Sequence, residues 1–165
     1  MTDLKSKEIR SEITSEGKLN LSIATSDVPT PGDDEVLIKV EASPINPSDL
    51  GLLISFAADL ESISTSGEGE DTVTSMGIHP GLMQSMKPRL DKSMKVGNEG
   101  GGVIVDAGKN VKDLVGKTVG VAGGAMYSQY RCLPAMSCLV MNDGTTSAEA
   151  ASSFVNPLTA LWFTE

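Results

Sequence analysis

The sequence predicts a mainly β fold with a few helices, closed as a partly open barrel or a sandwich. Three observations carry that expectation. Seventeen glycines and eight prolines in 165 residues punctuate the chain into short segments, and so many turns favour strands over a helix bundle. Several of those segments alternate apolar and polar residues, which is the period of a half-buried strand. The stretch 96–108 sets Asn98 and Glu99 beside Gly100, Gly101 and Gly102 and then runs into β-branched residues. Glycine there adds no side chain to pack, so the cluster marks a bend, a bulge or a close backbone approach.

Taken in order, Ile9–Ile13 and Leu19–Ile23 alternate around Ser15–Lys18, which gives strand, turn, strand. Two prolines stiffen the connector 28–34, and Glu35–Ala42 follows as a clear strand. Asn46-Pro47-Ser48-Asp49 reads as a turn leading into a short helix over Leu50–Ser55. Residues 56–95 change character and read as an insertion of loop and short helix. Within it Ser62–Asp71 is polar and acidic, which predicts a mobile surface loop, and Gly81–Lys87 holds one or two helical turns. Strands resume at Glu99–Ala107, Thr118–Ala122, Tyr127–Leu133 and Cys138–Met141. Thr146-Ser147-Ala148-Glu149 has the form of a capped helix start. That helix is expected to be interrupted at Pro157 and to resume over Leu158–Trp162. Gly116-Lys117-Thr118 imitates the end of a phosphate-binding loop, but position 111 is Val and the run opens a strand.

A net charge of −9 with no basic stripe argues against a nucleic-acid or anionic-membrane surface. No apolar run is long enough to span a bilayer. The charged start of the chain lacks the apolar core of a signal peptide. Cys132 and Cys138 have no partner cluster and read as small apolar fillers, so the expected location is cytoplasmic. His79 stands alone before Pro80 as an exposed loop residue. Met76, Met83, Met86 and Met94 read as packing residues or as an apolar lid.

Three segments together carry a resemblance: Asn46-Pro47-Ser48-Asp49, then Val96 to Gly108, then Asn156-Pro157-Leu158-Thr159-Ala160-Leu161. In this order they resemble the N-terminal, GroES-like catalytic domain of medium-chain dehydrogenase/reductases, most closely the zinc-free quinone oxidoreductase branch. Val119–Ala122 and Tyr127–Tyr130 add to the match. The likeness implies a GroES-like partly open β-barrel over residues 1–165, cut off before a Rossmann domain, with 146–165 as the start of the helix leading there. It implies hydride transfer from NADP(H) or NAD(H) to a quinone or an electron-poor alkene, with the cofactor mostly bound by a domain not present in this chain. No strand–GxGxxG–helix unit occurs in the sequence, so the chain by itself is expected to be inactive. A homodimer is implied for the full-length protein.

The same likeness assigns candidate residues. Asn46, Asp49 and Tyr127 are the catalytic candidates, and Asn46, Asn156 and Thr159 the cofactor-facing ones. No metal is expected, because Asn46 and Asn98 fall where zinc-dependent members place a ligand Cys and His, and neutral amides are poor zinc ligands. The tyrosine that quinone reductases carry shortly after the Asp is replaced by Gly51 or Leu52, and the enoyl-reductase tyrosine falls near Ala57. Tyr127 or Tyr130 would have to substitute. Plainer readings stand beside these. Asn46 and Asp49 could only cap a turn, Glu99 could only brace a glycine-rich bend, and Tyr127 and Tyr130 fit half-buried strand positions. A stand-alone GroES-like binding or assembly module, without catalysis, is the alternative function.

Overall fold

A computed structural model describes residues 4–164. Among the described residues, ten strands form two five-stranded sheets. The first contains β1 (Lys5–Ile13), β2 (Lys18–Asp27), β4 (Ala58–Ser66), β5 (Val73–Ile78) and β6 (Met94–Lys95), in the order β4-β5-β2-β1-β6. The second contains β3 (Glu35–Ala42), β7 (Gly100–Ala107), β8 (Thr118–Val121), β9 (Tyr130–Pro134) and β10 (Cys138–Val140), in the order β10-β8-β7-β3-β9. Pairing within both sheets is antiparallel. Residues 127–129 stitch the sheets together. Their backbone exchanges bonds of 2.9 Å with Ile9 and Lys7 of β1 and accepts another of 2.9 Å from Val40 of β3. The mainly β, partly open barrel is therefore observed.

Each sheet has its own core. Val36, Ile38, Ile104, Val119, Val121, Met126 and Leu133 fill the curl of the second sheet. Ile13, Leu19, Ala57, Met76, Ile78 and Met86 form the other cluster. The second cluster corrects the expectation for 56–95. The segment is not loop and short helix alone, since it adds β4, β5 and β6 to a sheet and Ala57, Met76, Ile78 and Met86 to a core. Ser62–Asp71 is likewise not a mobile loop. Through Ser66 it belongs to β4, where Ser64, Thr65 and Ser66 pair with β5, and Gly69–Asp71 closes the turn as one 3₁₀ turn. An exposed edge strand buries neither face, so its polar composition hid it from a period-based reading. Of the four methionines considered as a lid, Met76 and Met86 are buried in this core and Met83 packs against it.

Two helix boundaries also differ. The first helix, α1 (Pro47–Leu53), begins three residues before the predicted start, with Asn46 at the cap. Pro47 already has the backbone angle of a first helical turn, so the Asn-Pro-Ser-Asp run is that turn. Left-handed Ser55 (φ 57°) lies just past its end. After the short α2 (Met83–Met86), the last helical region splits into α3 (Ser147–Ala151) and α4 (Val155–Trp162). The interruption falls at residues 152–154. Pro157 sits in the first turn of α4, where its missing N–H costs nothing.

Helix α3 lies directly on β7 and β8, and the glycines explain how. A Cβ on Gly101 would stand 2.4 Å from the Ser147 carbonyl oxygen, and one on Gly120 would stand 2.6 Å from that of Ala150. The glycine-rich stretch is thus a docking surface for a helix backbone.

At the far edge, Glu8 is buried between Arg10 and Lys95, with Lys95 Nζ 2.8 Å away. Burial pushes its carboxyl up, but the two cations outweigh that and hold it below the ordinary glutamate value. A depressed folded-state value means stability that is complete above the unfolded glutamate value and is lost as pH falls through the folded one. Urea unfolding of the wild type and Glu8→Gln should show a gap at neutral pH that closes on acidification. A gap independent of pH would refute the ion-pair origin.

Candidate functional site

The capping residue of α1 starts the site. Asp49 is one turn into the helix, and its Oδ2 accepts the Asn46 backbone N–H at 2.8 Å. Its Oδ1 accepts the backbone N–H of Asn98 at 2.8 Å. A buried carboxylate therefore ties α1 to the bend before β7, where burial without such donors would be costly. The Asn98 side chain turns to Ser48, donating to its Oγ at 3.0 Å.

The Asn46 amide points the other way. Its Nδ2 donates to Glu99 Oε1 at 2.8 Å, and Glu99 Oε2 accepts the backbone N–H groups of Phe154 at 3.1 Å and Val155 at 2.9 Å. Glu99 is 0% exposed, so every bond it makes is to protein. Both Glu99 oxygens accept N–H groups, so the NH₂ end of the Asn46 amide is the one that faces it. Asn46 Oδ1 is left to accept from Asn156 Nδ2 at 3.3 Å. Glu99 also satisfies the first N–H groups of α4, and that start coincides with the break between α3 and α4.

The far end of α1 is clamped as well. Arg89 donates to the carbonyls of Gly51 (3.1 Å) and Leu52 (3.0 Å) and to Ser11 Oγ (3.1 Å), and Ser11 donates to Leu52 at 2.7 Å. A seven-residue helix is marginal alone, and a guanidinium on its terminal carbonyls complements its dipole. Nothing in the sequence separated Arg89 from the other cations of the segment.

Tyr127 lies in a bend before β9, not in a strand as expected, because residues 127–129 run between the sheets. Its hydroxyl donates to the Pro44 carbonyl at 2.9 Å. Burial, and after it the negative charge of Asp49, pushes the phenol up to about 12. At neutral pH Tyr127 is therefore a fixed hydrogen-bond donor. In a Tyr130→Phe background the remaining tyrosine should titrate near that value by ultraviolet absorbance. Asp49→Asn should bring it down toward the ordinary value, and an unchanged titration would refute the coupling.

Of the residues singled out from sequence, Asn46, Asp49, Asn98, Glu99 and Asn156 meet in one network, and Tyr127 adjoins it through Pro44 and Asp49. Thr159 does not join. It is exposed on α4, and its hydroxyl donates to the Val155 carbonyl at 2.6 Å. Ser48 and the N–H groups of Phe154 and Val155 were missed as site members, because backbone donors carry no residue signature. Among the described residues no group of three or more His, Cys, Asp or Glu is arranged to hold a metal ion. No described helix is long and apolar enough to cross a membrane.

Comparison with known proteins rests on structure, since neither a protein-family model nor a curated protein matches the sequence. A protein assigned as an NADPH:quinone reductase from Mesorhizobium loti aligns over 99% of this chain and 44% of its own, at 25% identity and a TM-score of 0.62. One with the same assignment from Bacillus thuringiensis covers 98% of this chain and 40% of its own, at 22% identity and a TM-score of 0.64. The Escherichia coli quinone oxidoreductase, solved with NADPH, covers 96% and 40%, at 18% identity and a TM-score of 0.62. The chain has the GroES-like fold of medium-chain dehydrogenase/reductases. The chain spans somewhat under half the length of each of these structures. Its three resemblance segments, far apart in sequence, are the ones that meet around Glu99.

Proposed function

We propose that the chain is the catalytic-domain part of an NAD(P)H-dependent, zinc-independent oxidoreductase acting on quinones or electron-poor alkenes. The observation that carries the reading is the Glu99 node, which holds the Asn46 amide in one orientation and joins it to Asn156 at the start of α4. When bound, the nicotinamide cofactor supplies the hydride. The chain's own part is to fix polar groups beforehand, so that little reorganisation is needed as charge develops on the acceptor. Asn46 and Asp49 are the buried, positioned pair, and Asn156 presents its amide at the surface. Tyr127 holds the loop that carries Asn46. Asn156 and Thr159 lie on α4, the side on which a cofactor domain beyond these 165 residues belongs in this proposal. The shares of 40–44% covered in the matching structures support that extension.

Zinc independence is supported by the chemistry of the donors. Asn46 and Asn98 both direct amide N–H groups at protein acceptors, and the Asp49 and Glu99 oxygens are taken by N–H donors. That set does not fit a zinc ion. Cytoplasmic location and a homodimer are part of the same proposal. The test is NADPH consumption by the native full-length protein with a benzoquinone or an enone as acceptor. Turnover unchanged by EDTA is expected. Loss with EDTA and recovery with Zn²⁺ would overturn the zinc-free assignment. No turnover with any such acceptor would favour a binding module instead.

A further inference from the structure

A cavity of about 360 Å³ lies behind the loop that carries Asn46, lined in part by Ile9, Ile23, Ile45 and Tyr127. Its volume lies within the usual ~300–1,000 Å³ of small-molecule pockets. Ile9 and Ile23 are direct cross-strand partners on β1 and β2, yet they face away from the core, 37% and 42% exposed. Ile45, 72% exposed, and Tyr127 join them in the lining. A β-branched pair on the solvent side of a sheet, met by a third isoleucine and an aromatic ring, makes an apolar patch on a strongly acidic protein.

Most of the polar side chains around it have partners within the protein. Ser43 donates to the Met126 carbonyl, Ser128 to those of Ala125 and Tyr130, and Tyr127 to that of Pro44. Gln129 accepts the Lys7 backbone N–H. Lys7 pairs with Glu70, and Glu8 with Arg10 and Lys95. The lining's one cation, Lys7, is paired with Glu70, and nearly all of the surface that the cavity presents is hydrocarbon. A charged ligand would give up its hydration without a partner, whereas an uncharged ring would not.

We propose that this cavity binds an uncharged, planar, ring-sized apolar ligand, at a place distinct from the Asn46–Glu99 network and separated from it by residues 43–45. The proposal does not depend on the reductase reading, because its test is binding and not turnover. The experiment is carbon-13 isoleucine-methyl NMR of this protein titrated with 2-naphthol, and with 2-naphthoate as the charged counterpart. Saturable shifts of Ile9, Ile23 and Ile45 with a Kd below about 1 mM are expected, with 2-naphthoate at least about tenfold weaker. Ile23→Glu should weaken 2-naphthol at least about tenfold while the core methyls of Ile13, Ile38 and Ile104 keep their positions. Should that variant not fold, Ile45→Glu at the more exposed position serves instead. Non-saturating shifts, equal affinity for 2-naphthoate, or undiminished binding by a folded variant would overturn the site.

Discussion

Glu99→Ala should be among the most damaging single substitutions in this chain, lowering unfolding stability by about 3–5 kcal/mol. Three donors lose their acceptor at once: Asn46 Nδ2 and the backbone N–H groups of Phe154 and Val155. Each buried group left unpaired costs about 1–3 kcal/mol, softened where water enters the space. Against a usual total of about 5–15 kcal/mol, the loss is a large share. Urea unfolding measures it, and a change under about 1 kcal/mol would show that Glu99 is a bystander. Glu99→Gln separates stability from orientation. The new carbonyl can still accept from Phe154 and Val155, but the new NH₂ faces the Asn46 NH₂, donor against donor. Asn46 must then reverse its amide, which breaks the bond from Asn156. The expected loss is only about 1–2 kcal/mol, while the Asn46 and Asn156 side-chain amide resonances move. In the proposed reductase that variant should lose turnover out of proportion to its stability.

Gly101→Ala should cost about 3 kcal/mol, although it adds a single methyl group. The added Cβ would lie 2.4 Å from the Ser147 oxygen, 2.6 Å from the Ala151 nitrogen and 3.0 Å from the Ala150 Cβ. Two of those neighbours are helix backbone, which no rotamer change can move aside. Helix α3 has to lift from β7, and the chain that follows it carries the two N–H groups bound by Glu99. The substitution should therefore loosen the site as well as the fold, read as faster amide exchange at Phe154 and Val155. Gly51→Ala is the internal control. Gly51 is helical, and its added Cβ meets nothing within 4 Å, so a gain of up to about 1 kcal/mol is expected there. Equal effects at the two positions would refute the packing argument.

Hydrophobic alternation and turn chemistry were enough to read most of the fold. Glu35–Ala42 is a strand over the very residues expected, and the Thr146–Glu149 cap forms, with Glu149 N donating to Thr146 Oγ1 at 3.3 Å. Those features are local: a period of two, a proline, a capping hydroxyl and the glutamate three residues on. The edge strand β4 was illegible for the same reason, because with both faces wet it leaves no period to read. Tyr127 was misassigned to a strand because its backbone bonds to Ile9 of β1 on one side and to Val96, outside any strand, on the other. The split between α3 and α4 was put at Pro157, although Glu99, more than fifty residues earlier in the chain, takes up the N–H groups at the actual break.

The sequence by itself determined that Asn46, Asp49, Glu99 and Asn156 are polar residues of the three resemblance segments, and that the glycines beside Glu99 had a backbone reason. Only the tertiary structure decided what each does. A carboxylate's donors have no sequence period, and neither has a helix backbone resting on Gly101. Which donors a buried oxygen meets is set by how the sheets curl and where α3 lands. That long-range geometry turns four separate polar residues into one network around Glu99.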